Sequence, residues 1–307
     1  ARFYAADVTA TALELCGLAL VFGGAALAVP GRLGSPHLLL GCVATLFAAV
    51  VTFRVGGVGA TVVAAVITVA VLGGLAATVH MVWEPAVPKA AAGLLVAAIA
   101  LISATPRSAV ALARLPVPPV PTAGAAIDPV DQDERPTIEG IGVIGATALP
   151  SAAGLEQRAR AANRYQSGMV VGCTITAVTA GFATADPFGA TRWQGVALAV
   201  VAGLVLCLRG RAFADLTQAA AMIGGGCAGL VSVAIALAIG HPALLVPAAG
   251  VLIGSAIAAI LFGAVGPSIE VSPVTRRKFE LFEYLLIVSI VPLVFWTMDL
   301  YALARNR

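Results

Sequence analysis

The chain has 307 residues, 60% of them hydrophobic and only 11% charged, with a mean hydropathy of +1.00. That composition excludes a water-soluble globular core and points to an all-α, polytopic helical membrane protein. The net charge of +3 is small and its cations lie dispersed in loops between apolar runs, so nucleic acid is excluded as a partner.

The sequence opens at Ala1 with no methionine, charged leader or cleavage site before it, which predicts a segment of a longer chain. A spanning helix needs about 20 mostly apolar residues. Nine runs qualify or come near: 8–30, 37–53, 57–82, 89–104, 168–185, 193–208, 216–240, 243–265 and 279–301. The second, fourth and sixth are short. Sustained apolar character without period-two alternation excludes a membrane β-barrel. The chain divides into a first group of four spans (1–104), a soluble-looking loop (105–167) and a second group of five spans (168–307).

In the loop, six arginines are balanced by Asp128, Asp131, Asp133, Glu134, Glu139 and Glu156. Its first part, PRSAVALARLPVPPVP, reads as a short basic helix on the membrane surface, carrying Arg107 and Arg114. Pro116, Pro118, Pro119 and Pro121 then stop it and favour polyproline-like extension. Further on, GLEQRARAANRYQSG carries Arg158, Arg160 and Arg164 on strong helix formers and predicts a helix running straight into the fifth span. The loop is expected to be a docking surface.

Alternate loops differ in charge. If the chain starts in the cytoplasm, that side holds thirteen of the Lys and Arg residues and the other side five, namely Arg32, Lys89, Arg192, Arg305 and Arg307. The bias favours a cytoplasmic start and loop and a periplasmic C-terminus.

No predicted span carries an ionisable residue at mid-depth, where ion-coupled transport usually needs one. Glu14 lies near the cytoplasmic end of the first span and Asp299 near the external end of the last. The Gly224, Gly225, Gly226 run in the seventh span suits close helix packing better than an unwound transporter helix, and Gly73 with Gly74 reads the same way. The five cysteines sit inside apolar runs and the three histidines stand alone at run ends, so no metal and no cofactor are expected. HExxH, GxSxG and Walker A patterns are missing, and the expected protein is not an enzyme.

The densest charge precedes the last span, in SPVTRRKFELFEYLL. Ser272 and Pro273 form a helix start, as N-cap and first helical residue. Arg276, Glu280 and Glu283 then share one face, with Arg277 and Lys278 beside them. A stop-transfer flank accounts for the cations; Glu280 and Glu283 ask for basic partners on a neighbouring helix or subunit. Tyr284 and Tyr301, about 25 Å apart at helical rise, mark two interface belts, with a kink expected at Pro292.

The C-terminal sequence SPVTRRKFELFEYLLIVSIVPLVFWTMDLYALARNR, with its SPxxR, ExxEYL and PLxxW elements, resembles the EccD family, the polytopic membrane component of mycobacterial type VII (ESX) secretion systems. LPVPPVP, QRARA and LRGRAFAD are similar to that family too, so the resemblance covers about residue 107 to the end; the first four spans fit by hydropathy. It implies eleven spans in the family, preceded by a ubiquitin-like domain, of which the nine here are the third to eleventh. It further implies a non-catalytic scaffold of the bacterial inner membrane. Two copies would enclose a lipid-filled cavity and hold the EccB, EccC (ATPase) and EccE subunits. On that reading Arg107, Arg114, Pro118, Arg158, Arg160, Arg164, Arg276, Arg277, Glu280 and Glu283 are the partner-contact candidates. The alternative is a secondary transporter, which predicts inverted repeats and a polar midplane site.

Overall fold

Lipid offers the backbone no hydrogen-bond partner, so each apolar run satisfies its own amides by coiling into a helix. The computed structural model describes residues 7–56, 59–115, 152–189, 191–265 and 272–305. Nine helices among these are long and apolar enough to cross a membrane. They are α1 (Asp7–Leu27), α2 (Ser35–Gly56), α3 (Ala60–Trp83), α4 (Val87–Leu112), α5 (Ala152–Ala185), α6 (Trp193–Gly210), α7 (Leu216–Gly240), α8 (Leu245–Val265) and α9 (Pro273–Thr297); a short α10 (Leu300–Arg305) follows.

Helix α4 departs from the sequence reading. The run expected to end at residue 104 continues through Pro106 to Leu112, so no separate surface helix carries Arg107. Proline deprives the Ile102 carbonyl of its usual donor four residues on. The buried Thr105 hydroxyl donates to that same carbonyl at 2.8 Å, which lets the helix pass. At 26 residues α4 is about 39 Å long, so its last turns project beyond a hydrocarbon layer of about 30 Å. Helix α5 does run unbroken through 34 residues, from the arginine-rich segment into the span. A 3₁₀ turn at Pro242–Leu244 leads into α8. Helix α9 begins where Ser272 Oγ accepts from the Thr275 amide, and ends at Thr297. Asp299 then adopts a left-handed φ of 57°, so Tyr301 belongs to α10 and not to the span expected to reach it.

Helix α5 is the axis of the bundle. It packs against α3, α4, α6 and α7, and 61% of its apolar window is buried, against none of that of α8. The main core gathers Leu95 and Ile102 of α4, Val170 and Cys173 of α5, Leu198 and Leu206 of α6 and Met222 of α7. Close approach depends on small residues: Gly168 and Gly172, one turn apart on α5, sit directly on the α3 backbone between Thr61 and Thr68. Gly225 faces Thr174 of α5 and Gly226 faces Gly203 and Cys207 of α6, within an unbroken α7. Gly225 and Gly226 of the run serve packing, while Gly224 meets nothing within 4 Å. Threonine hydroxyls hide from lipid by bonding back to their own helix, as Thr68 does to Ala64 and Thr174 to Val170.

Where the described connections are short, the helices they join are antiparallel, and the bundle has two ends. One end, here the loop end, collects the finish of α4, the start of α5, the α6–α7 link and the start of α9: Arg158 reaches the Arg114 carbonyl at 3.2 Å and Arg209 reaches Ser103 at 2.9 Å. At the far end Ser35 meets His80 at 2.8 Å and Thr191 meets His241 at 2.8 Å.

Candidate partner-contact site at the loop end

A cleft of about 610 Å³ opens at the loop end, walled by Pro106 of α4, Asn163 and Gln166 of α5, Arg209 to Gln218 around the α6–α7 link, and Glu280, Glu283 and Tyr284 of α9. Its floor is a polar network between α5 and α7. Asp215 caps α7, its carboxylate accepting from the Thr217 and Gln218 amides at 2.8 and 3.3 Å and from Asn163 Nδ2 at 2.8 Å. The Asn163 hydrogen bond, helped by those amides, holds the Asp215 carboxyl below its ordinary value and therefore ionised. Gln218, only 2% exposed, donates to Asn163 Oδ1 and Ser167 Oγ and accepts from Gln166, which satisfies a side chain that burial would otherwise penalise.

The α9 wall carries the charge. Glu283 pairs with Arg209 of α6 at 3.6 Å, with side chains 13% and 28% exposed. Arg209 is thus the basic partner on a neighbouring helix that the sequence reading asked for. Glu280 finds its cations on its own helix instead, Arg277 at 3.1 Å and Arg276 at 3.7 Å. Beside them the Arg211 guanidinium lies 5.0 Å from the centre of the Phe279 ring, a cation–π contact that ties the link to α9.

The other sequence candidates lie on the same end without joining the cleft. Arg107 is exposed on the projecting part of α4, and Arg114, two residues past its end, has a left-handed φ of 50°. Arg158 ties the start of α5 to the Arg114 carbonyl, Arg160 pairs with Glu156 one turn away, and Arg164 is exposed. Pro118 and its proline-rich stretch lie outside the described residues.

Sequence reasoning passed over Asp215, Gln218 and the α5 polar face. Asp215-x-x-Gln218 before an apolar run is a capping-box pattern, and Asn163, Gln166 and Ser167 recur at helical spacing, so both signals were present. It also passed over the far-end cluster, in which Asp299 pairs with Lys89 and Arg192, each at 2.9 Å. Those hydrogen bonds, from Lys89 first and Arg192 next, hold the Asp299 carboxyl below its usual range. Among the described residues no group of three or more His, Cys, Asp or Glu side chains could hold a metal.

Comparison with known proteins extends the resemblance over the first four spans as well. The family described as EccD-like transmembrane domain matches residues 1–307. Relatives include the ESX-5 secretion system protein EccD5 of Mycobacterium marinum, 29% identical over 296 residues that cover 95% of this chain and 59% of that protein. The ESX-4 secretion system protein EccD4 of Mycobacterium tuberculosis is 29% identical over 305 residues, 96% of this chain and 60% of the relative. The chain thus spans about three fifths of the length of these relatives. Among solved structures, protomer 1 of an ESX-3 core complex contains a chain of the same fold: TM-score 0.76 at 21% identity, over 97% of this chain and 64% of that one. An ESX-5 inner membrane complex contains another, with TM-score 0.61 at 23% identity over 80% of this chain and 54% of that one. The nine-span bundle and the match along its whole length place this chain in the EccD family of membrane-spanning proteins.

Proposed function

We propose that the protein is a non-catalytic scaffold in the membrane complex of a type VII (ESX) secretion system. The observation that carries this reading is the loop end, where four elements of an EccD-family bundle build one polar cleft and surround it with exposed arginines. Such a face, fixed to a rigid bundle by the Arg209–Glu283 pair and the Asp215 network, suits docking of other subunits. On the family resemblance, the partners that this reading expects are a second EccD copy and the EccB, EccC (ATPase) and EccE subunits.

The charge bias supports the placement. Arg54, Arg107, Arg114, Arg158, Arg160, Arg164, Arg209, Arg211, Arg276, Arg277 and Lys278 all belong to the loop end, a bias that favours a cytoplasmic loop end and a periplasmic C-terminus for an inner-membrane protein. Apolar surface supports association within the membrane: α8 is buried nowhere along its apolar window, and a groove of about 660 Å³ runs between α1, α2, α3 and α5. Two copies facing each other across such surfaces would enclose lipid.

Affinity purification of the tagged full-length protein from its native membrane, with mass spectrometry of the co-purifying chains, tests the proposal. Recovery of an ATPase with EccB-like and EccE-like subunits is expected. A pure, stable homo-oligomer would overturn the scaffold reading in favour of a transporter.

A further inference from the structure

At the far end, α3 and α4 diverge around an apolar cleft of about 220 Å³ lined by Leu72, Leu75, Val79, Gly93, Leu94 and Met298. Lys89, in the first turn of α4, stands at its rim. A methyl added at Gly93 would meet nothing within 4 Å, so the space between the helices is open at that point. Leu75 and Val79 are 59% and 40% exposed, so the cleft opens sideways toward the acyl chains of a surrounding bilayer.

At the rim two cations meet one carboxylate. Lys89 and Arg192 share the single carboxylate of Asp299, and both cations keep exposed surface, 36% and 58%. Of these charges Lys89 lines the cleft itself, and the Asp299 carboxylate joins Arg192 to it from outside the lining. Trp193 and Trp296 meet edge to face at 4.9 Å beside these charges, both half-exposed, as tryptophans do at the headgroup level. An apolar slot at acyl depth beneath a surplus cation at headgroup depth matches a lipid that carries negative charge.

We propose that this cleft binds one anionic phospholipid, its phosphate on Lys89 and Arg192 and one acyl chain between α3 and α4. The inference rests on the membrane-spanning fold and stands apart from the scaffold reading.

Native mass spectrometry of the detergent-purified full-length protein, titrated with phosphatidylglycerol and with phosphatidylcholine, tests it. The wild type should take its first phosphatidylglycerol about fivefold more tightly than phosphatidylcholine. Lys89→Gln combined with Arg192→Gln should erase that preference. Asp299→Asn frees both cations and should raise it, while asparagine tolerates the left-handed backbone there. Gly93→Leu fills the slot and should weaken first binding of both lipids. An unchanged preference in the double variant, a lowered one in Asp299→Asn, or unaltered binding in Gly93→Leu would each overturn the site. If the double variant does not fold, the other two decide. Glycerol 3-phosphate should not displace the lipid; displacement would make this a free-phosphate site and sink the assignment.

Discussion

Arg209 and Glu283 face each other across α6 and α9 with most of their side chains withdrawn from water. Removing one partner leaves the other without its counter-charge, a larger loss than for an exposed pair. Arg209→Ala should therefore cost about 1–2 kcal/mol and lower the melting temperature of the detergent-solubilised protein. An equal melting temperature would show that the pair is ornamental. Asp299 makes a prediction about acid. Its folded-state carboxyl is held below the ordinary value near 3.9, so the far-end cluster contributes stability above that value and loses it as pH falls through the depressed one. Melting curves taken from pH 6 downward should show a loss below about pH 4 that is smaller in Asp299→Asn. Asp215 follows the same sign, since protonation would release its acceptors for Asn163 and the α7 amides.

Two glycines at the scale of the helix show how backbone contact sets the bundle. A methyl at Gly172 would lie 2.6 Å from the Ala65 carbonyl oxygen and 2.7 Å from Thr68 Cβ, so α5 would have to withdraw from α3. Gly172→Ala should destabilise by about 1–3 kcal/mol through overpacking. Gly224 meets nothing within 4 Å, and Gly224→Ala should be neutral or stabilise by up to about 1 kcal/mol through helix propensity. Comparing the two variants by thermal melting separates packing from propensity; equal shifts would contradict the α3–α5 contact. At this scale the sequence was legible wherever apolar length decided the matter, as in the nine spans. It misled at α4, because proline signals a stop and the hydrogen bond from the Thr105 hydroxyl to the Ile102 carbonyl, which overrides the stop, is made within the helix itself.

Among the described residues, charge gathers at the two ends and the sides are apolar, with large side chains such as Phe47, Val251 and Ile260 exposed. On the proposed scaffold reading, the loop face is where such a body docks its partners. Reversing Glu280 and Glu283 together to lysine should leave membrane insertion intact while reducing the yield of assembled complex several-fold in co-purification. Unchanged yield would remove the α9 wall of the cleft from the docking surface.

The sequence by itself determined the class of protein, the number and order of its spans, the uneven share of cations between its loops and the family it resembles. Those properties follow from hydropathy, helix length and short motifs, which act locally along the chain. Only the tertiary structure decided that Glu283 belongs to Arg209, that Asp299 gathers Lys89 and Arg192, and that Gly168 and Gly172 carry α5 against α3. Partners separated by some 70 to 210 positions in the chain are chosen by how helices cross and rotate, and in lipid that choice rests on side-chain fit and paired charge instead of on hydropathy, which is alike on every face.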